Sequence, residues 1–259
     1  MSGSIHATAI LASDAVLGDG VEVGAYAVIG PGVEIGPRTR IAAHAMVHGH
    51  TRLGADNVVH SYASVGDAPQ DKKYKGEPTR LEVGDRNVVR EFVTLNRGTT
   101  KDRGVTTIGS DNLFMSYAHV AHDCVVGDQC VLANCATLGG HVSLGDWVIM
   151  GGFAAVHQFC KVGAHAFLAN NAAVTRDVPP YVMAVGGPAK PHSINSEGLK
   201  RRGFTPQQVR NLRNAYRVLY RSGLRLEEAL VQLRAMAQDQ PEVQALVDFI
   251  PQSTRSLVR

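Results

Sequence analysis

Aliphatic residues recur at every sixth position along most of this chain, a period that neither an α-helix nor a simple strand produces. From Ile5 the series runs through Leu11, Leu17, Val23, Ile29 and onward to Val65 without a break. It fails at Asp71 and Glu77, returns in phase at Val83, Val89 and Leu95, and fails again over residues 96–107. It resumes shifted by one at Ile108 and continues through Phe114 and Val120 to Val174. A six-residue unit marks a parallel β-helix, whose coils are triangles of three short strands. The aliphatic side chains then point inward and stack coil upon coil.

The position four after each aliphatic is usually small, as at Ala27, Ala45, Ala118, Ala136 and Ala154, so that the chain can turn inside a narrow prism. Cys124, Cys130 and Cys160 occupy the same slot and read as core residues rather than reactive thiols. The four cysteines show no zinc or redox spacing. Glycine often follows the aliphatic directly, as at Gly18, Gly24 and Gly30, and is expected there to accept the backbone angles of a corner. The two interruptions predict loops at 66–80 and 96–107, and loops of that length in a strict solenoid point to function.

The β-helix is expected to stop near Asp177-Val178-Pro179-Pro180, because proline cannot donate to a ladder. Thr205-Pro206 reads as a helix N-cap and first turn. Val209, Leu212, Tyr216, Leu219 and Tyr220 share one face of that helix, and Gly223 ends it. Further helices are predicted near residues 226–238 and 241–250. The expected organisation is a β-helix over 1–190 and a small helical domain over 191–259.

Net charge is +3, which lends no support to nucleic-acid binding, but it is unevenly placed. Residues 190–259 hold 12 Lys/Arg against 6 Asp/Glu, while the rest is acidic. A basic tail on an acidic body suits an anionic ligand or partner, or simply a solvated helix face. The start Met1-Ser2-Gly3-Ser4-Ile5-His6 lacks the basic and apolar regions of a secretion signal. No apolar run approaches the roughly 18 residues of a spanning helix. A cytoplasmic protein without stable membrane insertion is expected, and the flat outer faces of such a prism favour a homo-oligomer.

Histidines concentrate between 119 and 165. His122 and His141 are 19 apart, about one coil of 18, so they should lie on adjacent coils at roughly one strand spacing of 4.8 Å. His157 follows 16 later, near one further coil. Three readings stay open for these residues. They can be surface polar groups; they can form a zinc site, though no cysteine is placed to help; or they can include a general base in a cleft, with Asp123 orienting His122. Leu138-Gly139-Gly140-His141 offers backbone N–H groups with no side chain in the way, as an oxyanion requires. Lys73, in the first loop, and Lys200-Arg201-Arg202 could hold phosphate oxygens.

Five segments stand out: Gln70-Asp71-Lys72-Lys73-Tyr74-Lys75-Gly76-Glu77-Pro78-Thr79-Arg80, Ala118-His119-Val120-Ala121-His122-Asp123-Cys124, Gly139-Gly140-His141-Val142, Val156-His157-Gln158-Phe159-Cys160 and Glu197-Gly198-Leu199-Lys200-Arg201-Arg202-Gly203-Phe204. Together they resemble the UDP-N-acetylglucosamine O-acyltransferases of lipid A biosynthesis. The resemblance covers essentially the whole chain and implies a left-handed parallel β-helix followed by a small α-helical domain. It implies a homotrimer with active sites between neighbouring β-helices. It also implies transfer of a (R)-3-hydroxyacyl group from acyl carrier protein to the glucosamine 3-hydroxyl of UDP-N-acetylglucosamine. No metal and no cofactor are expected, the acyl donor riding on the phosphopantetheine of the carrier protein.

By motif match, His122 is the base, Asp123 orients it and Gly140 supplies an oxyanion N–H. Asp71, Lys73, His119, His141 and His157 hold the sugar and acyl carbonyl region, with Gln158 lining the same cleft. Asn195, Glu197, Arg201 and Arg202 contact the nucleotide, and Arg213, Arg217 and Arg221 suit an acidic carrier protein. Asn170 is matched to the acyl-length selector, where some relatives have Gly, and predicts shorter chains than those relatives use. Asn96 stands where many relatives have His, which weakens any role for the side chain at that position. The rival readings are another hexapeptide-repeat acyltransferase, such as the N-acyltransferase of the same pathway or a sugar O-acetyltransferase, and a non-catalytic β-helix scaffold.

Overall fold

The computed structural model describes residues 3–259; Met1 and Ser2, the start of the segment read for a secretion signal, lie outside them. Strands mostly of two residues alternate with tight corners, and each pairs in parallel with its counterpart one coil away. His119–Val120, for example, lies between Thr94–Leu95 and Thr137–Leu138. The result is a left-handed parallel β-helix of triangular section. Face 1 has nine strands, from Ile10–Leu11 to Ala173–Val174, and face 2 has eight, from Val16–Leu17 to Lys161–Val162. Face 3 has ten, from Glu22–Val23 to Val182–Val185 and an added antiparallel strand Lys190–Ile194. Face 3 thus gains a parallel strand beyond Pro179-Pro180, where the coil was expected to stop. The prolines sit in the corner before that strand, so no ladder bond needs their missing N–H.

The six-residue series forms the interior: Ile29, Val65, Leu95, Phe114, Leu138 and Leu168 are all almost fully buried. Cys124, Cys130 and Cys160 are buried as the small-slot pattern requires. Burial pushes the first two thiols up to about 12 and the third to about 11, which leaves them inert near neutral pH.

Corner glycines play a different part from the one expected. Gly18, Gly24 and Gly30 do not carry the left-handed angles. A Cβ on Gly18 would lie 2.7 Å from the Pro37 nitrogen, and one on Gly24 2.6 Å from the Ala43 nitrogen, so these glycines let successive coils approach. The left-handed position falls two residues later and is usually filled by a full side chain: Tyr26, Arg38, His44, Asp123, His141 and Phe159 all have φ between 56° and 66°. That conformation costs roughly 1–2 kcal/mol per residue. Stacking along the corners offsets it. Tyr26, His44, Tyr62, Phe92 and Tyr117 form a ladder with ring centroids 4.9–5.2 Å apart, and Arg38 grips Asp56 at 2.6–2.7 Å.

Both loops leave the prism at the edge between faces 1 and 2. One departs after strand Ser64–Asp67 and returns at Arg80–Val83; the other departs after Thr94–Asn96 and returns at Val105–Ile108. They hold each other. Arg97 donates to the Tyr74 hydroxyl at 2.9 and 3.2 Å and to the Gly66 carbonyl, and Asn96 donates to the Ala68 carbonyl at 3.1 Å. Asn96, where the departure from the family pattern weakens a role in the site, is a buried tether for the first loop.

Past residue 195 lie helices α1 (Ser196–Arg201), α2 (Pro206–Tyr220), α3 (Leu226–Asp239) and α4 (Gln244–Phe249). Thr205 caps α2 in a reciprocal bond pair with Gln208, as Thr-Pro-Gln-Gln suggests, and Gly223 follows with φ +74°. Helix α1 escaped the sequence reading, although Asn195 before it and Gly203 (φ +84°) after it are ordinary cap signals. The chain end turns back on the β-helix: buried Asp177 accepts from Ser253, Thr254 and Arg255.

Candidate active site

The edge between faces 1 and 2 carries the site. Successive coils place His122-Asp123, Gly140-His141 and Gln158-Phe159 one above another: His141 N–H donates to the His122 carbonyl at 3.0 Å, and Phe159 N–H to the Gly140 carbonyl at 3.0 Å. The repeat therefore converts a sequence separation of one coil into side-chain contact. With the loops, these residues line an open cleft of ≈ 930 Å³ whose walls include Asp71, Lys73, Lys101, Asp102, His122, His141, Gln158 and Phe159.

Asp123 lies at the base of this cleft, only 3 % exposed. Its carboxylate accepts from Thr99 N–H (2.9 Å), from the Thr99 hydroxyl (2.7 Å) and from His122 Nδ1 (2.8 Å). Burial alone would raise its pKa, but the bonds from His122 and Thr99 outweigh that and hold it below the usual carboxylate value. An ionised carboxylate only accepts, so Nδ1 of His122 donates and Nε2 keeps its lone pair. Nε2 has no hydrogen-bond partner among the described residues. His122 and His141 meet edge to face, centroids 5.0 Å apart, and Phe159 stacks on His141 at 4.4 Å.

Gly140 packs directly under the His122 ring. A Cβ there would lie 2.6 Å from Cε1 and 2.8 Å from Nε2. Its own N–H has no acceptor among the described residues. A buried donor next to a base imidazole suits a negative charge that develops during reaction.

Asp71 and Lys73 stand on the opposite wall. Asp71 accepts from Lys73 N–H at 2.9 Å, the main cause that lowers its pKa, and pairs with Lys101 at 3.6 Å. His119 lies outside the cleft lining on face 1, half-buried, 2.7 Å from the Thr94 hydroxyl; burial first, then His122, lowers its pKa. His157 is exposed, with its ring on the Gln158 carbonyl at 3.1 Å. Asn170 sits at the edge between faces 3 and 1, accepting from Gly152 N–H at 3.0 Å.

The remaining expected residues occupy the third edge, between faces 2 and 3. There Arg202 lies 5.1 Å over the Trp147 ring and 3.2 Å from His165 Nδ1. Glu197 and Arg201 are exposed. Asn195 is buried, its amide accepting from Gly198 N–H and donating to the His165 carbonyl. Within one chain these four are not brought to His122.

Thr99, Lys101, Asp102 and Phe159 were not singled out from sequence. Arg255 also reaches the upper rim, donating to the Gln158 carbonyl at 3.3 Å and lying 5.7 Å over Phe159. Phe159 lies within the matching segment Val156-His157-Gln158-Phe159-Cys160, and the periodicity puts it one coil above His141. His122, Asp123 and His141 could hold a metal ion by spacing, their ligand atoms lying within 4.8 Å of one another. The donors already on Asp123 make the set equally complete as a carboxylate–imidazole dyad.

The chain is similar to known proteins throughout its length. Residues 177–258 match the family profile described as UDP N-acetylglucosamine O-acyltransferase, domain 2, and residues 14–49 and 106–140 match the bacterial transferase hexapeptide repeat. An acyl-[acyl-carrier-protein]–UDP-N-acetylglucosamine O-acyltransferase of Thiobacillus denitrificans is 55 % identical over 256 residues, 99 % of each chain. The crystal structure of Francisella novicida UDP-N-acetylglucosamine acyltransferase superposes with a TM-score of 0.97 at 40 % identity, covering 99 % of this chain and 94 % of that one. The corresponding Acinetobacter baumannii structure gives 0.96 at 44 % identity, covering 98 % and 99 %.

Proposed function

The chain belongs to the acyl-[acyl-carrier-protein]–UDP-N-acetylglucosamine O-acyltransferase family, and from that premise we propose that His122, Asp123 and Gly140 carry its chemistry. The protein is an acyltransferase that moves an acyl group from acyl carrier protein to UDP-N-acetylglucosamine, the first step of lipid A biosynthesis. The finer reading is that the group is a (R)-3-hydroxyacyl chain and the acceptor is the glucosamine 3-hydroxyl.

One observation carries the mechanism: His122, bonded to the buried Asp123 that Thr99 also holds, sits beside a Gly140 N–H that has no acceptor among the described residues. Asp123 fixes the tautomer, so His122 Nε2 accepts the proton of the sugar hydroxyl as its oxygen attacks the thioester carbonyl. The carbonyl oxygen becomes an oxyanion and receives the Gly140 N–H. Collapse breaks the C–S bond, and the imidazolium returns its proton to the departing phosphopantetheine thiolate. The proton ledger closes without a further cofactor.

Asp71, Lys73, His141 and Gln158 line the cleft that takes the sugar, while His119 and His157 flank it. Asn195, Glu197, Arg201 and Arg202 lie on another edge of the same prism, which supports a homotrimer whose nucleotide contacts come from a neighbouring subunit. Asn195 acts there as the cap that holds α1. Arg213, Arg217 and Arg221 lie exposed on or just past α2, a surface of the sign an acidic carrier protein requires. No described helix is long and apolar enough to cross a membrane. Carrier protein and sugar nucleotide as substrates support a reaction in the cytoplasm.

Incubating the purified trimer with (R)-3-hydroxyacyl carrier proteins and UDP-N-acetylglucosamine, and locating the new ester by NMR, tests the reading. A 3-O-ester is expected; an ester elsewhere, an amide or no product would overturn it.

A further inference from the structure

We propose that Asp102 is a positioning residue for acyl transfer, forming with His141 a second carboxylate–imidazole pair that aims the His141 ring into the cleft. This rests on the reading of the cleft given above and extends it to a loop residue that the dyad does not include. Asp102 Oδ2 lies 2.8 Å from His141 Nδ1, although the two are 39 residues apart in sequence. Like His122, His141 thus meets a carboxylate at Nδ1, while its Nε2 makes no hydrogen bond among the described residues and stands 3.9 Å from Asp123 Oδ2 at the base of the cleft.

The loop delivers this carboxylate rigidly. The Thr99 carbonyl accepts from Asp102 N–H at 3.3 Å and from Gly104 N–H at 3.0 Å, while the Thr99 N–H and hydroxyl are tied to Asp123. Lys101, beside Asp102, pairs with Asp71 of the first loop at 3.6 Å. One short turn therefore sets both carboxylates, one under each imidazole.

A specific degree of freedom gives Asp102 its task. Phe159 stacks on His141 with an interplanar angle of 8°, which fixes the plane of the ring. Stacking does not distinguish the ring from the same ring turned by half a revolution about χ2, because the two outlines nearly coincide. The turn exchanges a nitrogen for a carbon at the cleft edge. The bond to Asp102 is the only side-chain hydrogen bond of His141 among the described residues; the same orientation brings Nε2 to 3.9 Å from Asp123, so Asp102 supplies the shorter of the two carboxylate contacts that select which edge faces the ligand. Asp102 itself is partly exposed (40 %), so its contribution is screened.

The test is a kinetic double-mutant cycle on the full-length trimer with carrier-protein donor and UDP-N-acetylglucosamine, using Asp102→Ala, His141→Ala and the pair. Asp102→Ala is expected to lower kcat roughly tenfold, a charge-assisted hydrogen bond discounted for partial exposure, and to move the KM for UDP-N-acetylglucosamine by less than about twofold. In the His141→Ala background the same substitution should change kcat by less than about twofold, since its only target is gone. An undiminished loss in that background, a loss confined to KM, or wild-type kcat in Asp102→Ala would each overturn the proposal. His122→Ala run alongside separates the two failures. If wild type turns over, His122→Ala does not, and Asp102→Ala matches wild type, only the role of Asp102 falls; if wild type transfers nothing, the reading of the cleft falls with it.

Discussion

Replacing Gly140 by alanine is expected to disable the enzyme while leaving it folded. The added Cβ would stand 2.6, 2.8 and 3.2 Å from Cε1, Nε2 and Nδ1 of His122. Carbon atoms in van der Waals contact need about 3.5–4.0 Å, so the imidazole must retreat by roughly 1 Å. Its Nδ1 bond to Asp123 is 2.8 Å long, and a retreat of that size takes it out of hydrogen-bond range. Misplacing a reacting group by about 1 Å costs on the order of 10²-fold, so kcat should fall about 10²-fold or more. Gly140 does not carry a left-handed φ, so alanine suits its backbone. The nearest obstruction is a partly exposed side chain that can swing outward, so stability should change by only about 1 kcal/mol. The alanine retains the backbone N–H, so any loss comes from displacing the base rather than from losing the oxyanion donor. Transfer assays with thermal unfolding as control decide the matter: a folded Gly140→Ala protein with kcat within about twofold of wild type would refute this reading of the site.

Other outcomes follow from the same geometry. Thr99→Val removes the hydroxyl bonded to buried Asp123 without changing volume; a hydrogen bond to a charged group contributes about 1.5–3 kcal/mol, and with two donors left, kcat should fall roughly tenfold, whereas an unchanged rate would show that Asp123 does not depend on Thr99. His165 has its pKa lowered to about 4, first by burial and then by Arg202. Between that value and the unfolded value near 6.5 the unfolded chain takes up a proton that the folded site refuses, so stability is full above about 6.5 and falls as pH drops toward 4. The shift corresponds to about 3 kcal/mol, roughly halved for partial exposure; unfolding scans of wild type and His165→Gln across that window should show a flatter slope in the variant, and equal slopes would contradict the assignment. Asn170→Gly should extend activity toward longer acyl donors, read from rates across a donor series; no gain with longer chains would remove Asn170 as the selector.

The fold was legible because the β-helix is written locally: each six-residue unit repeats the same inward aliphatic and small residue, so a period of six defines the coil without any knowledge of its partners. The adjacency of His122 and His141 followed from the same arithmetic. The corner chemistry was less legible. Glycine after the aliphatic reads as the residue that accepts the corner's backbone angles, whereas Tyr26, Arg38 and Asp123 take the left-handed ones, because stacking along a corner offsets strain that a single residue's propensity would forbid. The contribution of the second loop could not be read at all. Thr99, Asp102 and Lys101 reach their partners across 24, 39 and 30 positions of sequence, through a turn with no period to announce where it lands. Helix α1 was missed for a humbler reason: six residues are too few to show an amphipathic repeat, leaving only its caps as a signal.

The proposed role of His122 as a base held by Asp123 is tested most directly by single-turnover transfer from a (R)-3-hydroxyacyl carrier protein to UDP-N-acetylglucosamine by wild type and by His122→Ala. Product from wild type and a loss of about 10²- to 10⁴-fold in the variant are expected, the range a general base contributes, with the fold and oligomeric state unchanged. A folded His122→Ala protein that transfers the acyl group at the wild-type rate would contradict this.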